Sequence, residues 1–170
     1  DEAGVPYPEA GWTYDDMLEI AKKLTIPGEQ YGVGIGASNA DPSNVFLTLS
    51  PVIWSYGGDY LNEDQTECTL NTPEAIEAIR YWTGLYTTEK VAPEGAVNYT
   101  MTKDIMPLFI ENKVALMMGG DQNAVEFDTN YPDLNYGYCV PPKAPSGSGG
   151  RLFTVPGTAK NSPGAHKFAK

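Results

Sequence analysis

Residues 54–82, WSYGGDYLNEDQTECTLNTPEAIEAIRYW, hold the end of one helix, a polar hairpin and the start of a second helix. The strongly apolar run Asn44 to Tyr56 leads into this stretch, and Gly57-Gly58 supplies the left-handed residue on which helices commonly end. Asp59 to Leu70 is polar and is expected to be a hairpin turning at Asn62 to Gln65. Thr72-Pro73-Glu74 then combines three helix-start features: a capping hydroxyl, a proline where no N–H is needed, and a carboxylate near the positive end of the helix dipole. The helix that follows carries Ile76, Ile79, Tyr81, Trp82 and Leu85.

Toward the N-terminus, Tyr31 to Gly36 alternates as a short strand with Val33 and Ile35 inward. Its glycines at 32, 34 and 36 mimic a phosphate loop, but no helix follows at the spacing such a loop needs. Thr13 to Leu24 is predicted as a helix: Met17, Leu18, Ala21 and Leu24 share a face, Thr13 caps with Asp16, and Pro27-Gly28 stops it. Pro51 is expected to kink or split the helix that contains it.

Toward the C-terminus, a loop over 87–100 precedes a short helix near Thr102 to Glu111, in which Pro107 is unusual. Val114 to Met118 is predicted as a buried strand, Gly119-Gly120 as a turn into a helix over Asp121 to Phe127, and Tyr136 to Val140 as a further strand. Pro141 to Gly150 has the composition of a crossing segment, Leu152 to Val155 resumes as a strand, and Ser162 begins a helix cut off at Lys170. Alternating helices and strands indicate an α/β class, a layered sheet flanked by helices. The expected division is an α/β domain over 1–142, then a crossover strand and the start of a truncated helix over 143–170. Leu18, Ile35, Leu49, Ile53, Ile79, Leu85, Phe109, Leu116 and Tyr138 are expected in one core.

A net charge of −11 opposes a nucleic-acid partner or an anionic membrane surface, because both require clustered Lys and Arg. No apolar run approaches membrane-spanning length, and the opening Asp1-Glu2 is not a secretory signal. Cys68 and Cys139 lack CxxC spacing and are expected as separate thiols.

The residues supply little catalytic chemistry. His166 is the lone histidine, without the partners of a zinc site or a serine triad, so neither metal nor cofactor is expected. Ser146 and Ser148 sit in a Gly-rich linker and not at a strand-to-helix elbow. The carboxylates fall mostly at helix starts and hairpin turns, where capping or solvation accounts for them. A surplus of aromatic and amide side chains in loops remains, including Asn44, Phe46, Trp54, Tyr99, Gln122 and Asn123. Aromatic faces stack on the C–H faces of sugars, while amides and carboxylates take hydroxyls. Trp54 and Trp82 lie at helical spacing and are expected in the core. Asp121 and Gln122 follow a strand end, where α/β folds place ligands.

The order of these segments resembles family 1 of the bacterial extracellular solute-binding proteins, the maltose-binding-protein-like group. GWTYDDMLEIAKKLT (11–25) is similar to that family's "P-x-TW-[DE]-E-L … AKKLT" helix, and YGVGIG (31–36) to its next strand. The opening stretch (54–82) resembles its aromatic, Gly-Gly-Asp, hairpin and Asn-x-Pro-Glu-Ala passage. FIENKVALMMGG (109–120) looks like "F-x-x-GK-x-AM", and GGRLFTVPGTAKNSPGAHKFA (149–169) like the strand and helix after the crossover. The resemblance implies one lobe of a periplasmic-binding-protein type II fold, the C-terminal lobe in order, with ligand held in a cleft between two lobes. It implies a non-enzymatic, extracytoplasmic module that captures a small solute, a sugar or oligosaccharide first, for the permease subunits of an ABC transporter. The membrane would be reached only through a lipid anchor outside this stretch. Oligopeptide-like, polyamine and other polar solutes stay open, as do a carbohydrate-active hydrolase fragment and a surface adhesion domain. Gln122 stands where the family often has a sugar-stacking tryptophan. The expected ligand-binding residues are Asn44, Phe46, Tyr99, Asp121, Gln122 and, from the crossover, Arg151.

Overall fold

The computed structural model describes residues 3–142, so Arg151, His166 and the strand and helix expected beyond residue 150 lie outside the described residues. The first helix, α1 (Tyr14–Leu24), starts on a reciprocal cap: Asp16 N donates to Thr13 Oγ1 (3.2 Å), and Thr13 N donates to Asp16 Oδ2 (2.8 Å). Its apolar face buries Tyr14, Met17 and Ala21 against β1 (Tyr31–Gly34). A Cβ at Gly32 would stand 1.9 Å from the Ala21 carbonyl oxygen, so glycine is what allows this helix and strand to touch.

β1 pairs in parallel with β2 (Val114–Met117), with Tyr31 opposite Val114, Val33 opposite Leu116 and Gly34 opposite Met117. Among the described residues the sheet has these two strands. Val33 N also donates to Val91 O (3.0 Å).

The helices α2 (Pro42–Ser55) and α3 (Pro73–Thr87) pack on one another, with Val52, Ile53, Ala78, Trp82 and Leu85 buried among them. α2 begins two residues before the expected Asn44, because Asp41 caps it and Pro42 occupies its first turn. Pro51 does not split it. The carbonyl that Pro51 leaves without a helical donor belongs to Leu47, an exposed residue of α2. Gly57 follows with φ +83°, as the left-handed ending requires. In the hairpin, Leu61 and Cys68 form a single antiparallel bridge, and Asn62 Oδ1 accepts from Thr66 N (2.8 Å) and Glu67 N (3.2 Å).

The helix expected over 102–111 is two pieces, a π-helical turn Met101–Ile105 and α4 (Met106–Ile110). Pro107 falls in the first turn of α4, where its missing N–H is harmless, and this accounts for its place in the sequence. β2 leads through Gly119-Gly120 into α5 (Asp121–Asn130).

The strand expected at Tyr136 to Val140 does not form. Instead Tyr136 packs edge-on to Phe127 and Tyr138, Tyr136 Oη donates to Asp128 Oδ1 (2.5 Å), and Trp12 Nε1 donates to Val140 O (2.7 Å). Side-chain contacts hold this segment where no strand ladder does. Tyr138 is 62% exposed, which removes it from the expected core. Ile35, Ile53 and Leu85 are buried there, with Leu18, Leu49, Ile79 and Leu116 packed around them. Phe109 stacks instead on Phe127, centroids 5.5 Å apart. Cys68 and Cys139 are both free and exposed.

Candidate functional site

Parallel pairing makes β1 and β2 end at one edge of the sheet, Gly34 beside Met117. The chain leaves both strands there. From β1 it runs through residues 35–41 into α2, and from β2 through residues 118–120 into α5. Ala37 N donates to Ala96 O (2.8 Å) and Ser38 N to Tyr99 O (3.1 Å), which draws the 95–100 segment to the same edge.

Asn44, Tyr99, Asp121 and Gln122 belong to these loops and helix starts. Asn44 Nδ2 donates to Asp41 Oδ2 (2.6 Å), so Asp41 orients the amide and leaves its carbonyl oxygen without a partner among the described residues. That hydrogen bond, more than those from the Ser43 hydroxyl and the Asn44 backbone, holds the Asp41 carboxyl below its ordinary pKa against the opposing effect of burial. Asp121 and Gln122 are exposed in the first turn of α5. Asn123 fixes the turn before them: its Oδ1 accepts from Gly120 N (2.9 Å), and its Nδ2 faces Met106 Sδ at 3.7 Å. Acceptors and amide donors at a strand-end edge can bind hydroxyls and orient them.

Phe46 borders a groove on the hairpin side of α2. It lies further into α2, 48% exposed, with its ring 5.2 Å from that of Tyr60 across the hairpin. Together they line a groove of about 650 Å³ that Trp54, Gly58, Asp59 and Glu63 complete. Trp54, expected in the core, is half-buried and reaches this groove, its Nε1 donating to Asp59 Oδ1 (3.1 Å). Trp82, from the same expectation, is 5% exposed and is core. Asp59 and Tyr60 escaped the sequence reading because the polar hairpin letters look alike; the tryptophan five residues before Asp59 was the available signal.

A second cavity of about 520 Å³ sits where β1 begins, lined by Gln30, Tyr31 and the Lys22–Glu89 ion pair (3.0 Å), away from the strand ends. Among the described residues no set of His, Cys, Asp and Glu is placed to hold a metal ion.

The family model for bacterial extracellular solute-binding proteins matches residues 1–170. No curated protein matches the chain. Among solved structures, it is similar to an ABC substrate-binding protein of Listeria monocytogenes in complex with cycloalternan, at 27% identity and a TM-score of 0.70 over 99% of this chain and 42% of that one. It is also similar in fold to an ABC transporter solute-binding protein of Thermotoga lettingae bound with alpha-D-tagatose, at 22% identity and a TM-score of 0.78, covering 99% and 43%. Maltose-bound MalE3 of T. maritima gives 28% identity and a TM-score of 0.56 over 65% of this chain and 27% of that one. The chain thus spans less than half the length of the proteins it resembles.

Proposed function

This chain belongs to the bacterial extracellular solute-binding proteins, and from that membership we propose that it is one wall of a solute cleft serving an ABC importer. Its fold is that of one lobe of a periplasmic-binding-protein type II protein. We assign residues 1–142 to that lobe. The ligand is a sugar, oligosaccharide or polyol, in keeping with the cycloalternan, tagatose and maltose held by the proteins it resembles. The lobe works outside the cytoplasm, delivers its ligand to permease subunits and carries out no reaction.

The observation that supports this most is the shared edge at which β1 and β2 end. The loops and helix starts that carry Asn44, Tyr99, Asp121 and Gln122 follow from that edge; we assign these residues to one polar wall, which a second lobe would face to enclose the ligand. Enclosure matters because small-ligand sites bury about 70–90% of the ligand, more than one wall can cover. Arg151 would reach the ligand from the crossover.

The test is calorimetry of the full-length protein against monosaccharides, neutral oligosaccharides, polyols, a polyamine and a short peptide. The expected result is binding of a sugar or polyol without turnover, weakened by Asn44→Ala and Gln122→Ala. Binding of the peptide or polyamine alone, or release of a cleaved glycan, would overturn the proposal.

A further inference from the structure

We infer that the groove between α2 and the 59–69 hairpin is a separate carbohydrate subsite, which takes the overhanging end of a neutral oligosaccharide whose other end lies at the sheet edge. The inference rests on the solute-binding reading above and narrows its ligand from sugars in general to oligosaccharides. Its core is a preorganised pair of an aromatic face and a carboxylate. Trp54 Nε1 (3.1 Å) and Tyr60 N (2.7 Å) both donate to Asp59 Oδ1. Asp59 Oδ2 is left without a hydrogen-bond partner among the described residues, beside the indole. A pyranose satisfies both at once, its C–H face on the ring and a hydroxyl donating to the free oxygen.

The neighbouring side chains suit the same occupant. Tyr60 is steadied by a hydrogen bond between its hydroxyl and Ser50 Oγ (2.9 Å) and by the Phe46 ring, so the aromatic surface is held in place before any ligand arrives. The groove lining carries Asp59, Glu63 and Glu74 and, among the described residues, no Lys, Arg or His. Phosphorylated or uronic sugars are therefore repelled, and a neutral chain is accepted. Phe46 lies just past Asn44 on α2, and Trp54 stands a further two turns along, roughly 12 Å at helical rise. That is longer than one sugar ring, so the groove has room for more than a single unit.

The experiment titrates the full-length protein with glucose and the malto- and cello-oligosaccharides up to four units, and with a galacturonate trimer. Trp54→Leu and Asp59→Asn are compared with the natural protein, Asp59→Asn preserving shape should Trp54→Leu fail to fold. In the series that binds, affinity should rise with length. Each variant should weaken the tri- and tetrasaccharide about tenfold, on the scale of one stacking or carboxylate contact, and leave the shortest binding member unchanged. Equal effects on short and long sugars, no effect on the long ones, or preference for the galacturonate trimer would overturn the subsite. Binding of monosaccharide alone would also overturn it while leaving the solute-binding proposal standing; binding of no sugar would remove that proposal and the subsite with it.

Discussion

Tyr14 and Trp82 are 3% and 5% exposed, and neither the Tyr14 hydroxyl nor the Trp82 indole N–H finds a partner among the described residues. The stability of both positions therefore comes from packing, with polar atoms buried at a cost. Trp82→Ala should lower stability by about 3–5 kcal/mol; a denaturant melt showing a change under about 1 kcal/mol would mean that its surroundings collapse around the gap. Burial pushes the Tyr14 phenol up to about 12 from 10.0, and the Tyr81 phenol is raised by burial as well, with the charges of Tyr56 and Asp15 adding to it. With the folded pKa above the unfolded one, the tyrosine contribution is complete below pH 10. It is lost as pH rises toward about 12, because the unfolded chain gives up its proton first. Urea midpoints measured from pH 8 to 11 should hold level and then fall above 10, alongside a late tyrosinate absorbance. Gly32→Ala is expected to be more damaging than its size suggests, since the new methyl would meet the Ala21 carbonyl at 1.9 Å. Loss of several kcal/mol, or of folding altogether, is the expected outcome by thermal melt.

At the scale of elements, the starts of the main helices are local events, readable from a few adjacent letters. Thr13 with Asp16, and Thr72 with Pro73, cap α1 and α3 as their sequences indicate. Thr72→Ala removes the acceptor for Ala75 N (3.4 Å) and should cost about 1 kcal/mol in a denaturant melt, with the α3 amides exchanging faster. The prolines were harder to interpret, because a proline has opposite meanings in the first turn and in the interior. Pro107 looked misplaced until the π-helical turn Met101–Ile105 moved the start of α4 beneath it. Pro51 is interior, and α2 runs through it; the carbonyl it leaves without a helical donor belongs to an exposed residue, Leu47. Tyr136 to Val140 alternates like a strand, yet a strand needs a neighbour to take its backbone hydrogen bonds, and no window of sequence contains that neighbour.

For the whole molecule, a solute cleft of this kind is expected to need both walls. The 170-residue chain alone should bind the parent's ligand on the order of millimolar or weaker, if half of the roughly 8 kcal/mol of a micromolar site is lost with the second wall. Calorimetry of this chain beside the full-length protein checks it, and sub-micromolar binding by the chain alone would point to a self-contained pocket. The sequence by itself determined the α/β class, the helix caps, the hairpin and the family, because each is written in short-range pattern or in the order of motifs along the chain. Only the tertiary structure decided that β1 and β2 are parallel and end together, so that the loops leading into α2 and α5 leave from one edge of the sheet. Only it set Phe46 against Tyr60 and turned Trp54 toward Asp59 while burying Trp82. Helical spacing places both tryptophans on apolar faces, and what packs against each face is a long-range contact that spacing does not encode.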